Sequence, residues 1–436
     1  MMILLIGSGA REHAIARALA RSPQKPTTVC FASNNNPGIQ ELSAYFTMGD
    51  IKNPQAVVSF AQQYGADLAI IGPEAPLEVG VADALLDAGI STVGPKKALA
   101  QIETSKGFTR DLLKKYNIPS CPRYRVFSSL DGVSEILSEL GEKYVVKFDG
   151  LMGGKGVKVA GDHLLSHEDA ISYCQEMIKR GGKFVIEEKL IGQEFSLMSF
   201  SDGDHLAHMP PVQDHKRAYV GDTGPNTGGM GSYSDSNHLL PFLTEEDIVQ
   251  AQEFNQATID ALKKEFWEGY KGILYGGFIA TVDGVKLIEY NARLGDPEGM
   301  NVLPLLESDF VEVCLGIVNG NLNQKDISFR NQATVCKYAV PEGYPDSPVK
   351  GEPIDISEIT ETSQLYYASV DMQDGQLYEA GSRTVAYVGI AETLSEAEAK
   401  AEAEISKVRG PLFHRTDIGT EELIQKRVEH MYKLRC

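Results

Sequence analysis

The sequence predicts a multidomain chain of α/β and α+β type: an N-terminal α/β domain with a parallel sheet, a central pair of α+β subdomains, and a small C-terminal α+β domain. Three observations predict it. Short apolar runs alternate with amphipathic segments over the first hundred residues, as in βαβ units. A glycine-rich loop then interrupts a strand-rich region. Past residue 330 the pattern returns to strands with a single helix.

In order, residues 3–6, 28–31 and 68–71 read as buried strands, and 12–20, 54–64 and 79–88 as the helices between them. Ligands in such sheets lie at the carboxyl ends of the strands, where Gly7-Ser8-Gly9, the loop 34–38 and Gly72-Pro73-Glu74 fall. A helix over 105–116 leads away. Residues 130–140 and 167–179 then read as helices among strands at 144–148, 157–160 and 184–188. Further strands are expected at 194–201 and 205–208, followed by a long helix at 245–267. A hairpin over 273–282 and 285–289 turns at Asp283-Gly284. The last strands are placed at 333–339, 364–369 and 384–391, with a helix at 395–407.

The 436 residues suffice for two to four domains at about 100–200 residues each. A net charge of −19 disfavours nucleic acid, so any phosphate must meet cations gathered locally. Mean hydropathy is −0.19, and no stretch approaches the ~20 apolar residues of a membrane span. Six scattered cysteines without a Cys-x-x-Cys pair fit reduced thiols in a cytoplasmic protein.

Gly7-Ser8-Gly9-Ala10-Arg11-Glu12 begins like a dinucleotide fingerprint, but Glu12 replaces the third glycine and would repel a pyrophosphate. The helix start and Arg11 favour a single phosphate, whereas Glu12 suits ribose hydroxyls or an amine. In Lys147-Phe148-Asp149-Gly150-Leu151-Met152-Gly153-Gly154-Lys155-Gly156, a strand delivers one lysine and a flexible loop a second. Glycine backbone there closes over phosphate oxygens while the ammonium groups neutralise them. It is not a Walker A motif, since glycine follows Gly-Lys. Glu187-Glu188-Lys189-Leu190 ends a strand where carboxylates suit an adenine amino group or ribose. In Glu289-Tyr290-Asn291-Ala292-Arg293-Leu294-Gly295-Asp296, strand alternation puts Glu289, Asn291 and Arg293 on one side. That side offers oxygen donors for Mg²⁺ beside a guanidinium for a carboxylate or phosphoryl group. Asp214 in Gln213-Asp214-His215-Lys216-Arg217 suits an amino group, and Lys216 and Arg217 suit an anion. His215 reads more readily as structural. A rival reading from Gly7-Ser8-Gly9 alone is a nicotinamide oxidoreductase, and another is a nucleotide-binding regulator without catalysis.

Together with residues 6–14, 72–77 and 150–157, the glycine-rich run 224–231 and the segment 291–298, in this order, resemble the phosphoribosylamine–glycine ligase family of the ATP-grasp group over essentially the whole chain. The late Arg415-Thr416-Asp417-Ile418-Gly419 resembles the same family's end. The resemblance implies an N-terminal domain over 1–104, a central ATP-grasp pair and a C-terminal domain over 331–436. Within the pair, 105–122 with 191–330 form the main subdomain and 123–190 the lid. It implies ligation of glycine to 5-phospho-β-D-ribosylamine with ATP in purine biosynthesis, which we expect to run through glycyl phosphate. By position, Lys106, Lys147, Gly153, Gly154 and Gly156 meet ATP phosphates, and Glu187, Glu188, Leu190 and Glu194 surround adenosine. Glu289 and Asn291 hold Mg²⁺ or Mn²⁺, and Arg293, Lys155 and Asp214 serve the chemistry. Substrates are expected at Gly9, Arg11, Glu12, Pro37, Gly38, Pro73, Glu74, Lys216, Arg217, Gly295 and Asp296, in a monomer or weak homodimer. Departures from the family are Met152-Gly153 for Ala-Ala, Leu294 for Phe, and Gly277 where some relatives carry a glutamine counted as a metal ligand. The nearest alternative is a different ATP-grasp ligase, such as a biotin-dependent carboxylase subunit.

Overall fold

The structure, a computed structural model, describes residues 1–152 and 156–436. Five strands, β1 (Met2–Ile6), β2 (Thr27–Ala32), β3 (Tyr45–Met48), β4 (Leu68–Ile71) and β5 (Ser91–Val93), form a parallel sheet in the order 3-2-1-4-5. β1 and β4 are buried along nearly their whole length, which is why they read as unbroken apolar runs. β3 is an exposed edge strand and has no such signature. The helix expected at 79–88 is two helices, Glu74–Val79 and Val81–Asp87, because Gly80 adopts φ 86° between them. The helix expected at 105–116 is preceded by another, Lys97–Thr104, and itself spans Lys106–Lys115 with Ser105 as its cap.

A small antiparallel sheet follows: β6 (Tyr124–Phe127), β7 (Tyr144–Phe148), β8 (Val157–Val159) and β9 (Phe184–Glu188), in the order 6-9-7-8. Its helices, Val133–Leu140 and His167–Lys179, pack with it around a core of its own that includes Leu137, Val146, Cys174, Phe184 and Ile186.

Eight further strands run from β10 (Gln193–Asp202) and β11 (Leu206–His208) through β12 (Gln213–Asp214), β13 (Arg217–Tyr219), β14 (Thr223–Asn226) and β15 (Gly231–Ser234) to β16 (Lys271–Thr281) and β17 (Gly284–Asn291). β11, β10, β16 and β17 make one sheet, and the helix Glu245–Phe266 lies against it, where buried Asn255 donates to the carbonyl of Leu197. β12 and β15 belong to another. They continue through β18 (Ala333–Pro341) into two strands of the last hundred residues, β20 (Leu365–Tyr367) and β23 (Val385–Ala391), while β19 (Pro353–Ile354), β21 (Val370–Gln373) and β22 (Gln376–Glu379) form a separate three-stranded sheet. The order of the larger sheet is 12-15-18-23-20, so the segment carrying Asp214 is hydrogen-bonded into the C-terminal strands. A final helix, Glu421–Arg435, returns to β10 and β16, where Arg435 makes a bidentate pair with Asp247 at 2.9 and 2.7 Å. Among the described residues no helix is long and apolar enough to cross a membrane.

The long helix ends one residue before the expectation. Trp267 caps it in the left-handed conformation, φ 56°, with its side chain 92% exposed. A side chain there strains the backbone and packs on almost nothing. Trp267→Gly is expected to stabilise the protein by about 1 kcal/mol, read as a small rise in Tm by circular dichroism, whereas Trp267→Val is expected to lower it.

Candidate functional site

One cavity of about 660 Å³ opens where the parallel sheet, the small antiparallel sheet and the sheet of β10, β16 and β17 face one another. Its cations are placed by regular structure. Lys106 and Arg110, one turn apart, share a face of their helix, and Lys147 points inward from β7. Glu187 on the neighbouring β9 accepts from Arg110 Nε at 2.8 Å and is ion-paired to Lys147. All three side chains are buried. Burial works to raise the Glu187 pKa, yet Arg110 and Lys147 bring it below its ordinary value. The Glu187 carboxylate is therefore already committed to holding two cations. Glu188 is bound to Arg123, at 2.8 Å from its backbone N–H and 2.9 Å from Nε.

A bulge sets the face of β17. Gly277 opposes Glu289 while the next residue, Phe278, opposes Leu287, so Ile288 is extra. The alternation changes phase there: Val285, Leu287 and then Tyr290 go to the core, while Glu289 and Asn291 line the cavity. The freed Ile288 carbonyl accepts from Lys147 Nζ at 3.0 Å and Arg110 Nη2 at 2.7 Å. Burial pushes the Glu289 pKa up, but Lys216, Lys106, Lys147 and Arg293 outweigh it and hold the group ionised. Lys106 also donates to the carbonyl of Gly150 at 3.2 Å, and Asp149 accepts from the Gly107 N–H at 3.0 Å, so the glycine loop is tied at its start to a helix N-terminus.

Arg293 lies beyond the end of β17. It pairs with Glu74 at 3.2 Å and Glu103 at 3.1 Å, and Nη2 is 3.4 Å from the Asn291 amide oxygen. Arg11 donates to the Leu294 carbonyl at 3.2 Å. Glu12 folds back on the first turn: it accepts from the Gly9 N–H at 2.6 Å and Arg11 Nε at 2.5 Å, and added Cβ atoms on Gly7 or Gly72 would collide with it. It fills the crevice that a dinucleotide fingerprint leaves open, and both its oxygens are used.

Asp214, on β12, is half-buried. Burial first and then the charge of Glu298 raise its pKa well above the usual carboxylate range. Glu298 itself accepts from Tyr275 Oη at 2.7 Å. Burial lowers the pKa of neighbouring His215 to about 3, keeping it neutral. Lys216 reaches Glu194 at 3.5 Å, and Arg217 reaches Asp162 of the small sheet at 3.4 Å and the Gly224 carbonyl at 2.8 Å.

Of the expected residues, Gly156, Leu190, Glu194 and Asp296 also line the cavity. Gly9, Pro73 and Gly295 do not line it: Gly9 lies against Glu12, Gly295 against Glu298, and Pro73 caps the helix Glu74–Val79. Pro37 and Gly38 start a short helix, Pro37–Glu41, and Gly38 packs against the rings of His13 and Tyr367. Gly153, Gly154 and Lys155 lie outside the described residues. Residues not anticipated are Arg110, whose spacing from Lys106 was a readable signal, and Glu103, Tyr275, Glu298 and Arg383, whose partners are remote in the chain. At Gly277 an added Cβ would stand 3.2 Å from the Glu289 carbonyl.

Comparison with known proteins gives consistent matches along the chain. Residues 1–103 match the N domain of phosphoribosylglycinamide synthetase, 104–299 its ATP-grasp (A) domain and 334–421 its C domain. The phosphoribosylamine–glycine ligase of Methanocaldococcus jannaschii is 52% identical, and that of Methanosarcina barkeri 48%, each match spanning all of both chains. The crystal structure of the Thermotoga maritima phosphoribosylamine–glycine ligase superposes with a TM-score of 0.82 at 29% identity, covering 96% of this chain and 100% of that one. The biotin carboxylase domain of Hydrogenobacter thermophilus 2-oxoglutarate carboxylase shares the fold at 15% identity and TM-score 0.71, over 99% and 93% of the two chains.

The Glu74–Arg293 contact has a pH signature. Burial works to raise the Glu74 pKa, but Arg293 and Arg11 bring it down to about 2 from 4.5. A carboxyl depressed on folding stabilises the protein above its unfolded value and loses that contribution as pH falls toward the folded one. Glu74→Gln is therefore expected to lower Tm at pH 7 by on the order of 2 °C. The difference from the unaltered protein should shrink between about pH 4.5 and 2 in a calorimetric pH series.

Proposed function

We propose a division of labour for the cavity from one premise: the chain belongs to the phosphoribosylglycinamide synthetase family. It is an enzyme of purine biosynthesis that ligates glycine to phosphoribosylamine. As in the ATP-grasp family, it uses ATP and a divalent metal.

In our reading the triphosphate lies along Lys106 and Lys147, with adenosine at the Glu188–Leu190 edge and Glu194. Residues 123–190 serve as the lid over it. Glu289 and Asn291 fit a hard divalent ion such as Mg²⁺ or Mn²⁺: they are oxygen donors turned to one face by the bulge, and Glu289 stays charged despite burial. Such an ion would add positive charge beside the transferred phosphoryl group. Glycine's ammonium goes to Asp214 and Glu298, two carboxylates of the cavity wall whose charges act on each other. Its carboxylate faces Arg293. The phosphoribosyl group takes the side formed by Arg11, Glu74 and Asp296.

Glycine's carboxylate alone is a poor acyl donor, because oxide would have to leave. Attack of a carboxylate oxygen on the γ-phosphorus expels ADP and gives glycyl phosphate. The phosphoribosylamine nitrogen then attacks its carbonyl carbon, inorganic phosphate departs with an oxygen that came from glycine, and the nitrogen gives up a proton. Phosphoryl transfer of this kind asks the protein for positioning and charge neutralisation. The observation that carries the reading is the convergence of Lys106, Lys147, Lys216 and Arg293 on Glu289.

Glu289→Ala is expected to lower kcat at least a thousandfold with the fold retained by circular dichroism, and wild-type-like turnover at ordinary Mg²⁺ would refute the metal assignment. In a single-turnover experiment with ¹⁸O-carboxyl glycine, label should appear in inorganic phosphate; its absence would remove the glycyl phosphate step. For Asp214 the sign follows from linkage. An ammonium favours the ionised carboxyl, so binding releases a proton wherever the raised pKa keeps Asp214 neutral. The KM for glycine should therefore fall as pH rises through the raised Asp214 pKa, and Asp214→Asn should raise KM and flatten that slope.

A further inference from the structure

Arg383 comes from the C-terminal segment, on the turn before β23, yet its guanidinium lies in the wall of the cavity. Nη1 donates to the carbonyls of Gly228 at 2.6 Å, Gly229 at 3.3 Å and Asp296 at 2.9 Å. Nη2 pairs with the Asp296 carboxylate at 3.2 Å. The same carboxylate accepts from Tyr338 Oη at 2.6 Å, and the guanidinium stacks 4.6 Å above the Tyr338 ring. One planar fork thus clips the Gly228–Gly229 loop to the Asp296 loop.

Each clipped loop adjoins a carboxylate of the cavity. Gly229 passes so close to Asp214 that an added Cβ would stand 2.7 Å from Oδ1 and 2.7 Å from the Pro297 ring, so the loop is the back wall of Asp214. Asp296 and Pro297 lead directly into Glu298, the first residue of the helix Glu298–Val302. Fixing the Gly228–Gly229 and Asp296 carbonyls to one guanidinium fixes the distance between Asp214 and Glu298. Two carboxylates held at a set spacing repel each other, and the bracing cation keeps the loops from relaxing apart.

We propose that Arg383 is a positioning residue for the amino-acid pocket: the C-terminal segment sets the Asp214–Glu298 gap that accepts an ammonium group. This rests on the reading that these two carboxylates receive the glycine amine. A lysine could keep the charge but not the fork, since four acceptors in two directions need the planar donor set of arginine.

Arg383→Ala and Arg383→Lys would be compared with the unaltered enzyme for KM of glycine, ATP and phosphoribosylamine separately, with kcat and Tm, and Asp214→Asn as reference. Arg383→Ala is expected to raise the glycine KM at least tenfold while the ATP KM stays within twofold, and millimolar guanidinium should restore part of the loss. Arg383→Lys should fall between. A glycine KM unchanged in Arg383→Ala while Asp214→Asn raises it would overturn the positioning role and leave the pocket assignment standing. If Asp214→Asn also leaves it unchanged, the pocket assignment fails first. Equal shifts in all three KM values with a lowered Tm and no guanidinium rescue would make Arg383 structural only. Should Arg383→Ala not fold, Arg383→Lys decides: a selective rise in glycine KM supports the proposal, and none overturns it.

Discussion

Arg293 leaves the end of β17 and meets two carboxylates carried by the parallel-sheet region, Glu74 and Glu103. That junction is what the rest of the cavity depends on. It joins the strand bearing Glu289 and Asn291 to the N-terminal turn bearing Arg11, and both ends must be aligned if one small acid is to be activated and then attacked. Burying a guanidinium is costly unless it is paired, so the contact tolerates little displacement. Glu103 is itself fixed by the Ala292 N–H at 2.7 Å, immediately beside Arg293. The chain therefore holds the acidic side of this junction from both the helix Lys97–Thr104 and the backbone of the segment it serves.

The same logic recurs at each charged group. Lys147 and Arg110 are held by Glu187 and by the Ile288 carbonyl; Lys216 lies among Glu194, Glu289, Asp214 and Glu298. A cation prepared in this way loses little conformational freedom when an anionic ligand arrives, because its side chain is already extended and desolvated. The net charge of −19 is no obstacle to phosphate, since the positive groups are collected on a few facing elements.

Much of this architecture was legible in the sequence, and the limits are physical. The helices Pro54–Tyr64 and His167–Lys179 fall where periodicity placed them because their ends are chemically marked: Asn53 with Pro54 and left-handed Gly65 bound the first, and Ser166 with Asp169 forms a capping box at the second. The exposed edge strand β3 and the hairpin of β13 and β14 carry no alternation to read. Glu289 and Asn291 were picked out by strand periodicity, but simple alternation would have placed them on the face of Leu287, and only the bulge reconciles them with the cavity. Arg293 was singled out, whereas its partners Glu74 and Glu103 could not be inferred from spacing. Glu187 and Glu12 read as open acceptors because nothing in the local sequence announces Arg110 or the Gly9 N–H as their partners.

The extra residue at Ile288 has an implication for how this strand tolerates change. Its surroundings would accept a shorter, better-ordered ladder: removing one codon between positions 286 and 288 restores continuous pairing with β16. That repair would leave the two oxygen donors facing the cavity, because Gly277 would still oppose Glu289, but it would remove the extra peptide carbonyl that Lys147 and Arg110 share. Secondary structure would improve while Lys147 and Arg110 lost an acceptor they share. Ladder regularity alone would thus favour the shorter strand, whereas the bulge serves the cations of the cavity.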